Sequence, residues 1–172
     1  MATILKAAQR EFEENPGRID NFRLFTDVSR VKSGIEPQNL NFDLRQLNPS
    51  QYSSLYHFHR HAEELFMIIS GSATLRTNEG LDIVNSGDLI FFEMGETGAH
   101  QLYNHTNEVC VFLDIRTFFG SDVCEYPDSN RLLIVPTMER FNKDDATGYF
   151  DGEENIKNIW KELKIKNSIL NS

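Results

Sequence analysis

Between residues 40 and 115 the chain breaks into short β-forming runs separated by turn signals at intervals of about 8 to 12 residues. "LNFDL" (40–44) alternates apolar and polar side chains, as a half-buried strand does. "LFMIIS" (65–70) and "ATLRT" (73–77) are rich in β-formers and flank Gly71. "NEG" (78–80) is a hairpin-type turn before "LDIV" (81–84). "NSGD" (85–88) turns the chain into "LIFFEM" (89–94). The glycine-bearing "GETGA" (95–99) precedes "HQLYNH" (100–105), and "EVCVFLDI" (108–115) follows. This punctuation predicts an all-β domain, an antiparallel sandwich or barrel.

Composition narrows what such a domain can do. The 172 residues suit one buried core. The longest apolar runs, "FMII" (66–69) and "LIFF" (89–92), are of strand length. A membrane-spanning helix needs ~20 apolar residues in succession, so no membrane role is expected. The start, "MATILKAAQREFEEN", lacks the order of a secretion signal, and the expected location is the cytoplasm. A net charge of −9 and a pI of about 5.0, with scattered Lys and Arg, argue against nucleic-acid binding. Two cysteines, Cys110 and Cys124, make no disulfide framework. Cys110 reads as a small buried hydrophobe, and a disulfide between the two stays open.

The ends of the chain have a different pattern. Ile156, Ile159, Trp160, Leu163 and Leu170 follow helical spacing, with Asp151, Glu153 and Glu154 at the head of the segment. Such a stripe is more often a packing face than a partner site. Residues 4–14 carry a weaker helical pattern. Residues 124–130 and 136–148 read as loops, the second long enough for a lid or an extension.

The chemistry gathers in "YHFHRHAEEL" (56–65). His57 and His59, two apart on a strand, share a face and stand roughly 6.6 Å apart. Imidazoles so placed can lean toward one ion. Glu64 opens an apolar strand, where a carboxylate is costly unless paired or coordinated. His100 follows a glycine-bearing turn. Two strand histidines, a strand carboxylate and a distant histidine make a mixed nitrogen and oxygen set. That set suits a divalent transition metal (Fe, Mn, Ni, Co or Zn) better than Ca or Mg. Glu63 should face away from Glu64, and His61 is expected in a turn; both read as exposed, with contact to a substrate as the alternative for His61. His105 reads as a surface residue. Phe66 and Ile68 share parity with Glu64, and Leu102 with His100. They are either a pocket wall or barrel filling. Arg76 and Tyr103 would meet a polar ligand if their strands turn them inward.

These stretches resemble the two motifs of the cupin superfamily. "HFHRHAEELFMIISG" matches the first through His57, His59, Glu64 and Gly71. "GDLIFFEMGETGAHQLYN" matches the second through Gly87, Gly95, His100 and Asn104. The chain departs from the common pattern at Gln51, where Gly is usual, and at Glu93, where Pro is usual. Its spacing from Gly95 to His100 is also longer, with four residues between them. The segments "EYPDS" (125–129) and "YFDGE" (149–153) are similar to those after the barrel in single-domain cupins of unassigned function. The resemblance implies a double-stranded β-helix, or jelly-roll barrel, with short helical N- and C-terminal extensions. The barrel would span 39–117, between an N-terminal extension over 1–38 and a C-terminal one over 118–172. It implies a metal held by His57, His59, Glu64 and His100, and a homodimer. The expected function is a metal-dependent enzyme acting on a small organic molecule, dioxygenase- or isomerase-like. The rival is a non-catalytic module that binds or senses a small ligand around a structural metal.

Overall fold

The computed structural model describes residues 2–170, with side chains up to residue 164. Strands β1 (Phe12–Glu14), β2 (Leu24–Asp27), β3 (Leu40–Leu47), β4 (Phe58–His59) and β5 (Glu64–Ser70) come first, with the short helix α1 (Ser29–Lys32) after β2. Next are β6 (Ser72–Thr77), β7 (Gly80–Asn85), β8 (Leu89–Phe92) and β9 (Gln101–Tyr103). Then come β10 (Cys110–Thr117), β11 (Asp122–Tyr126), β12 (Arg131–Val135) and β13 (Glu139–Asn142). The helix α2 (Ile156–Leu170) closes the described chain. This is the all-β, antiparallel cupin-type barrel expected from the punctuation and the two motifs.

One sheet runs in the order β1-β2-β3-β10-β5-β8. The opposing layer has two parts, β13-β12-β11-β4 and β7-β6-β9. An isolated antiparallel bridge between His57 and His100 joins them. His57 N–H donates to the His100 carbonyl at 3.2 Å, and His100 N–H returns the bond to His57 at 2.9 Å. A second bridge, Tyr52 to Tyr103, lies nearby.

Side-chain alternation on three neighbouring strands divides the interior. On β3, β10 and β5 the inward residues begin apolar, with Leu47, then Cys110 and Phe112, then Ile68 and Phe66. These join Leu24, Leu75, Val84, Phe92 and Leu102 in the sealed core. Further along the same faces the residues become charged, with Arg45, Asp114, Arg116 and Glu64 lining a cavity. One end of the barrel is filled and the other is open.

Several expectations change. The N-terminal helix over 4–14 is replaced by a 3-10 turn at Ala7–Gln9 and by β1, whose Phe12 pairs with Asp27 of β2. Pairing to a neighbouring strand wins over a weak helical pattern. The loop expected at 124–130 begins inside β11, where Cys124 pairs with His59 of β4. The loop over 136–148 contains β13 and a 3-10 turn at Lys143–Asp145. Both cysteines are free and buried, which answers the disulfide question; Cys110 lies in the core as expected.

The chain separates into two compact units, divided after residue 141. In the second, α2 carries Ile156, Ile159, Trp160 and Leu163, each between 44% and 58% exposed. The packing face expected of this stripe is not formed by these four residues. The side chain of Leu170 lies outside the described residues. No described helix is long and apolar enough to cross a membrane.

Candidate metal centre

The cluster is built from strand ends. β4 ends on His59, and His57 stands one residue before that strand. β5 begins with Glu64, aimed inward by the same parity that buries Phe66 and Ile68. His100 comes from across the bridged seam. Donor atoms of His57, His59 and Glu64 all lie within 4.8 Å of one another. Glu64 Oε2 is 3.1 Å from His100 Nε2 and 3.5 Å from His59 Nε2. The rings of His57 and His100 are 4.8 Å apart between centroids. The structure thus brings together all four residues singled out in the sequence.

The outer nitrogens of the imidazoles are already engaged. His57 Nδ1 meets the Leu55 carbonyl at 2.9 Å, and His100 Nδ1 meets the Gly98 carbonyl at 2.8 Å. His59 Nδ1 meets Asp122 Oδ2 at 2.5 Å. Carbonyl and carboxylate oxygens only accept, so each Nδ1 carries a proton, and wherever the imidazole is neutral its Nε2 is a bare lone pair. The Nε2 atoms of His59 and His100 approach the Glu64 carboxylate, and a His57 nitrogen lies within 4.8 Å of it. Among the described residues, Glu64 Oε2 and His100 Nε2 are buried with no hydrogen-bond partner. With the His100 ring neutral these are two acceptors facing each other at 3.1 Å, an arrangement that is costly when buried unpaired. A cation between them removes that cost, so the residues present fit a divalent transition metal.

Titration shows the same field. Burial pushes His57 down to about 3, with His100 and His59 adding to it and Glu64 opposing. Burial also lowers His59, but hydrogen bonds to Asp122, Cys124 and Glu64 outweigh it and carry the imidazole to about 11. Burial alone would raise Glu64; its contacts with His100 and His59 hold it well below the ordinary range. Without a cation, the cluster therefore gathers a proton at His59. A metal would compete for that place.

Packing fixes the rings. His100 stacks on Phe92 with centroids 3.7 Å apart and meets Phe66 edge-on at 5.3 Å. Tyr126 stacks on His57 at 6.1 Å. Asp122 holds His59 with one oxygen and accepts from the His61 backbone N–H with the other. Asp122, Tyr126 and Arg116, whose Nη1 is 3.4 Å from His59 Nε2, had no signal in the sequence. Asp122 is 63 positions from His59, outside both motifs; only the pairing of β11 with β4 brings it in.

A cavity of about 790 Å³ opens beside the cluster, lined in part by His57, His59, Glu64 and Phe66. Phe66 is a cavity wall, whereas Ile68 and Leu102 are fully buried in the core. Arg76 is turned away from the cavity, paired with Asp128 at 2.6 Å and lying over the Tyr56 ring. Tyr103 stacks on Tyr52 at 4.6 Å. His61, Glu63 and His105 are exposed. Asn104 is fully buried and organises its turn, donating to the Leu47 and Glu108 carbonyls and accepting from Thr106.

Sheet order, buried histidine and carboxylate cluster and open cavity define a double-stranded β-helix protein with a candidate metal centre in its mouth. Residues 44–116 match the family described as Cupin domain. That stretch is less than half of the chain, so the match identifies a cupin domain within it. No curated protein matches it. Among solved structures, it is similar to a protein of Acidithiobacillus ferrooxidans assigned provisionally as a sugar phosphate isomerase. That match has a TM-score of 0.72 and 23% identity, covering 84% of this chain and 95% of the other. It is similar also to a sugar phosphate isomerase of the cupin superfamily from Silicibacter pomeroyi. There the TM-score is 0.71 and the identity 20%, covering 87% of this chain and 98% of the other. A polyketide cyclase from Streptomyces resistomycificus matches with a TM-score of 0.53 and 18% identity, over 68% of this chain and 80% of the other. At these identities the likeness speaks to the fold.

Proposed function

We propose that this protein is a metal-dependent enzyme acting on a small organic molecule in the barrel cavity, and that the reaction is an isomerisation. The observation that carries the metal reading is the clustering of His57, His59 and Glu64 donor atoms within 4.8 Å of one another, with His100 Nε2 3.1 Å from the Glu64 carboxylate. His57, His59, Glu64 and His100 would hold the ion. When bound, a divalent transition metal supplies Lewis acidity toward a carbonyl or hydroxyl oxygen. The chain's own residues supply the rest. Asp122, Leu55 and Gly98 fix the histidine tautomers, and Phe66 and Phe112 keep water from one wall. Isomerisation is favoured over oxygenation because two structural neighbours, each covering more than four-fifths of this chain, carry that name.

The same reading places the protein in the cytoplasm as a homodimer. Support for the dimer is β8, an edge strand of the large sheet on which Leu89 and Phe91 are more than half exposed.

Elemental analysis of the purified protein, paired with an NMR screen of hydroxy-carbonyl compounds, tests this reading. Stoichiometric transition metal, lost in His100→Ala and kept in His61→Ala, is the expected result, together with turnover abolished by chelation. Full metal occupancy in a His57→Ala/His100→Ala double variant would sink the site. Stoichiometric metal without turnover of any compound that binds would leave a binding module.

A further inference from the structure

The cavity carries a second feature that the metal cluster does not use. Five arginines line it: Arg18, Arg45, Arg116, Arg131 and Arg140. Arg45 is neutralised by Asp43 at 3.1 Å and Asp114 at 3.0 Å. Arg116 stands against His59. The other three have no carboxylate partner among the described residues. Arg18 donates to the Ser53 carbonyl at 3.4 Å, Arg131 to Ser129 Oγ at 3.2 Å and Arg140 to the Met138 carbonyl at 3.3 Å. Each contact is to a neutral oxygen and leaves most of the five guanidinium donors free. This is an unusual outcome in a chain with 26 acidic residues against 17 basic ones.

The three arise from separate parts of the chain: the turn after β1, the start of β12, and β13. Yet all three line the same cavity as Tyr126 and His57, and Tyr126 stacks on His57. Unpaired positive charge and the candidate metal ligands therefore share the lining of one cavity. A molecule held at the metal ligands would share the cavity with three guanidinium groups.

We propose that Arg18, Arg131 and Arg140 form an oxyanion clamp at the mouth of the cavity, and that the molecule bound there carries a phosphate group. The proposal rests on the small-molecule enzyme reading above and names its substrate class. A phosphate ester carries a charge of about −1.5 to −2 at neutral pH and three strong acceptor oxygens. Guanidinium forks match such oxygens two at a time. A lone carboxylate, with two oxygens and one charge, would leave the third arginine unanswered.

The test uses the full chain and inorganic phosphate as the probe, followed by phosphorus NMR, with and without prior chelation. Saturable binding that survives chelation is expected, weakening as salt rises. Charge-assisted hydrogen bonds of ordinary strength set a loss of about tenfold or more in an Arg131→Gln/Arg140→Gln variant. Arg18→Gln should weaken binding in the same direction. Absence of saturation in the wild-type chain would overturn the clamp, as would equal affinity in the double variant. Phosphate binding that disappears on chelation would assign the anion to the metal instead. Malonate binding as tightly as phosphate would overturn the choice of phosphate. Metal content, measured on the same samples, should be unchanged in the arginine variants. Failure of the metal site and failure of the clamp are then read from separate signals.

Discussion

At the scale of single residues, the site depends on which nitrogen of each imidazole carries a proton. Three outer acceptors decide this, and two of them, Leu55 and Gly98, are backbone carbonyls that no side-chain substitution removes. The third is the Asp122 side chain. Asp122→Ala should therefore reduce zinc affinity about 10- to 100-fold, the usual effect of losing such a partner. Competition with a chromophoric chelator would measure it, and unchanged affinity would show that the aromatic packing alone orients His59. The four candidate ligands were legible because HxH spacing, strand parity and a glycine turn are local patterns. Asp122 was not. Its segment lacks alternation, and its place beside His59 exists only once β11 has paired with β4. Ile68 and Leu102 show the converse limit: parity gave their facing correctly, but depth along the barrel decides whether an inward residue meets cavity or core.

At the scale of elements, the turn between β5 and β6 is tightly constrained. Gly71 has φ +80°, and a Cβ there would lie 2.5 Å from the Val109 carbonyl oxygen and 3.0 Å from Cys110 Cα. Both are backbone atoms of the segment entering β10, so nothing can swing aside. Gly71→Ala combines left-handed strain of about 1–3 kcal/mol with that clash, and chemical denaturation should show a loss at least that large. A loss under about 0.5 kcal/mol, the range of neutral surface changes, would mean that the segment before β10 yields. The glycine was readable as part of a motif; the reason for it needed the approach of a strand almost forty residues on. Elements misread from sequence share one cause. The segments at 4–14, 124–130 and 136–148 have little hydrophobic period of their own and take their form from the strands beside them.

At the scale of the whole molecule, the fold class followed from punctuation alone, since many short strands in so short a chain have few other ways to bury a common face. How the second layer is completed did not, because β11 to β13 lie beyond the motifs. The exposed edge at β8 sets the remaining prediction. Phe91→Glu should convert a dimer to a monomer in light scattering after size exclusion, and a monomeric wild-type chain would remove the dimer from the proposed function. The seam in the second layer has a broader consequence. His57 and His100 are at once its backbone bridge and two of the candidate ligands, so an ion bound there would couple barrel closure to ion capture. Free energy gained by one is gained by the other. A melting curve recorded against rising zinc is therefore also a binding isotherm, and the barrel serves as its own indicator dye.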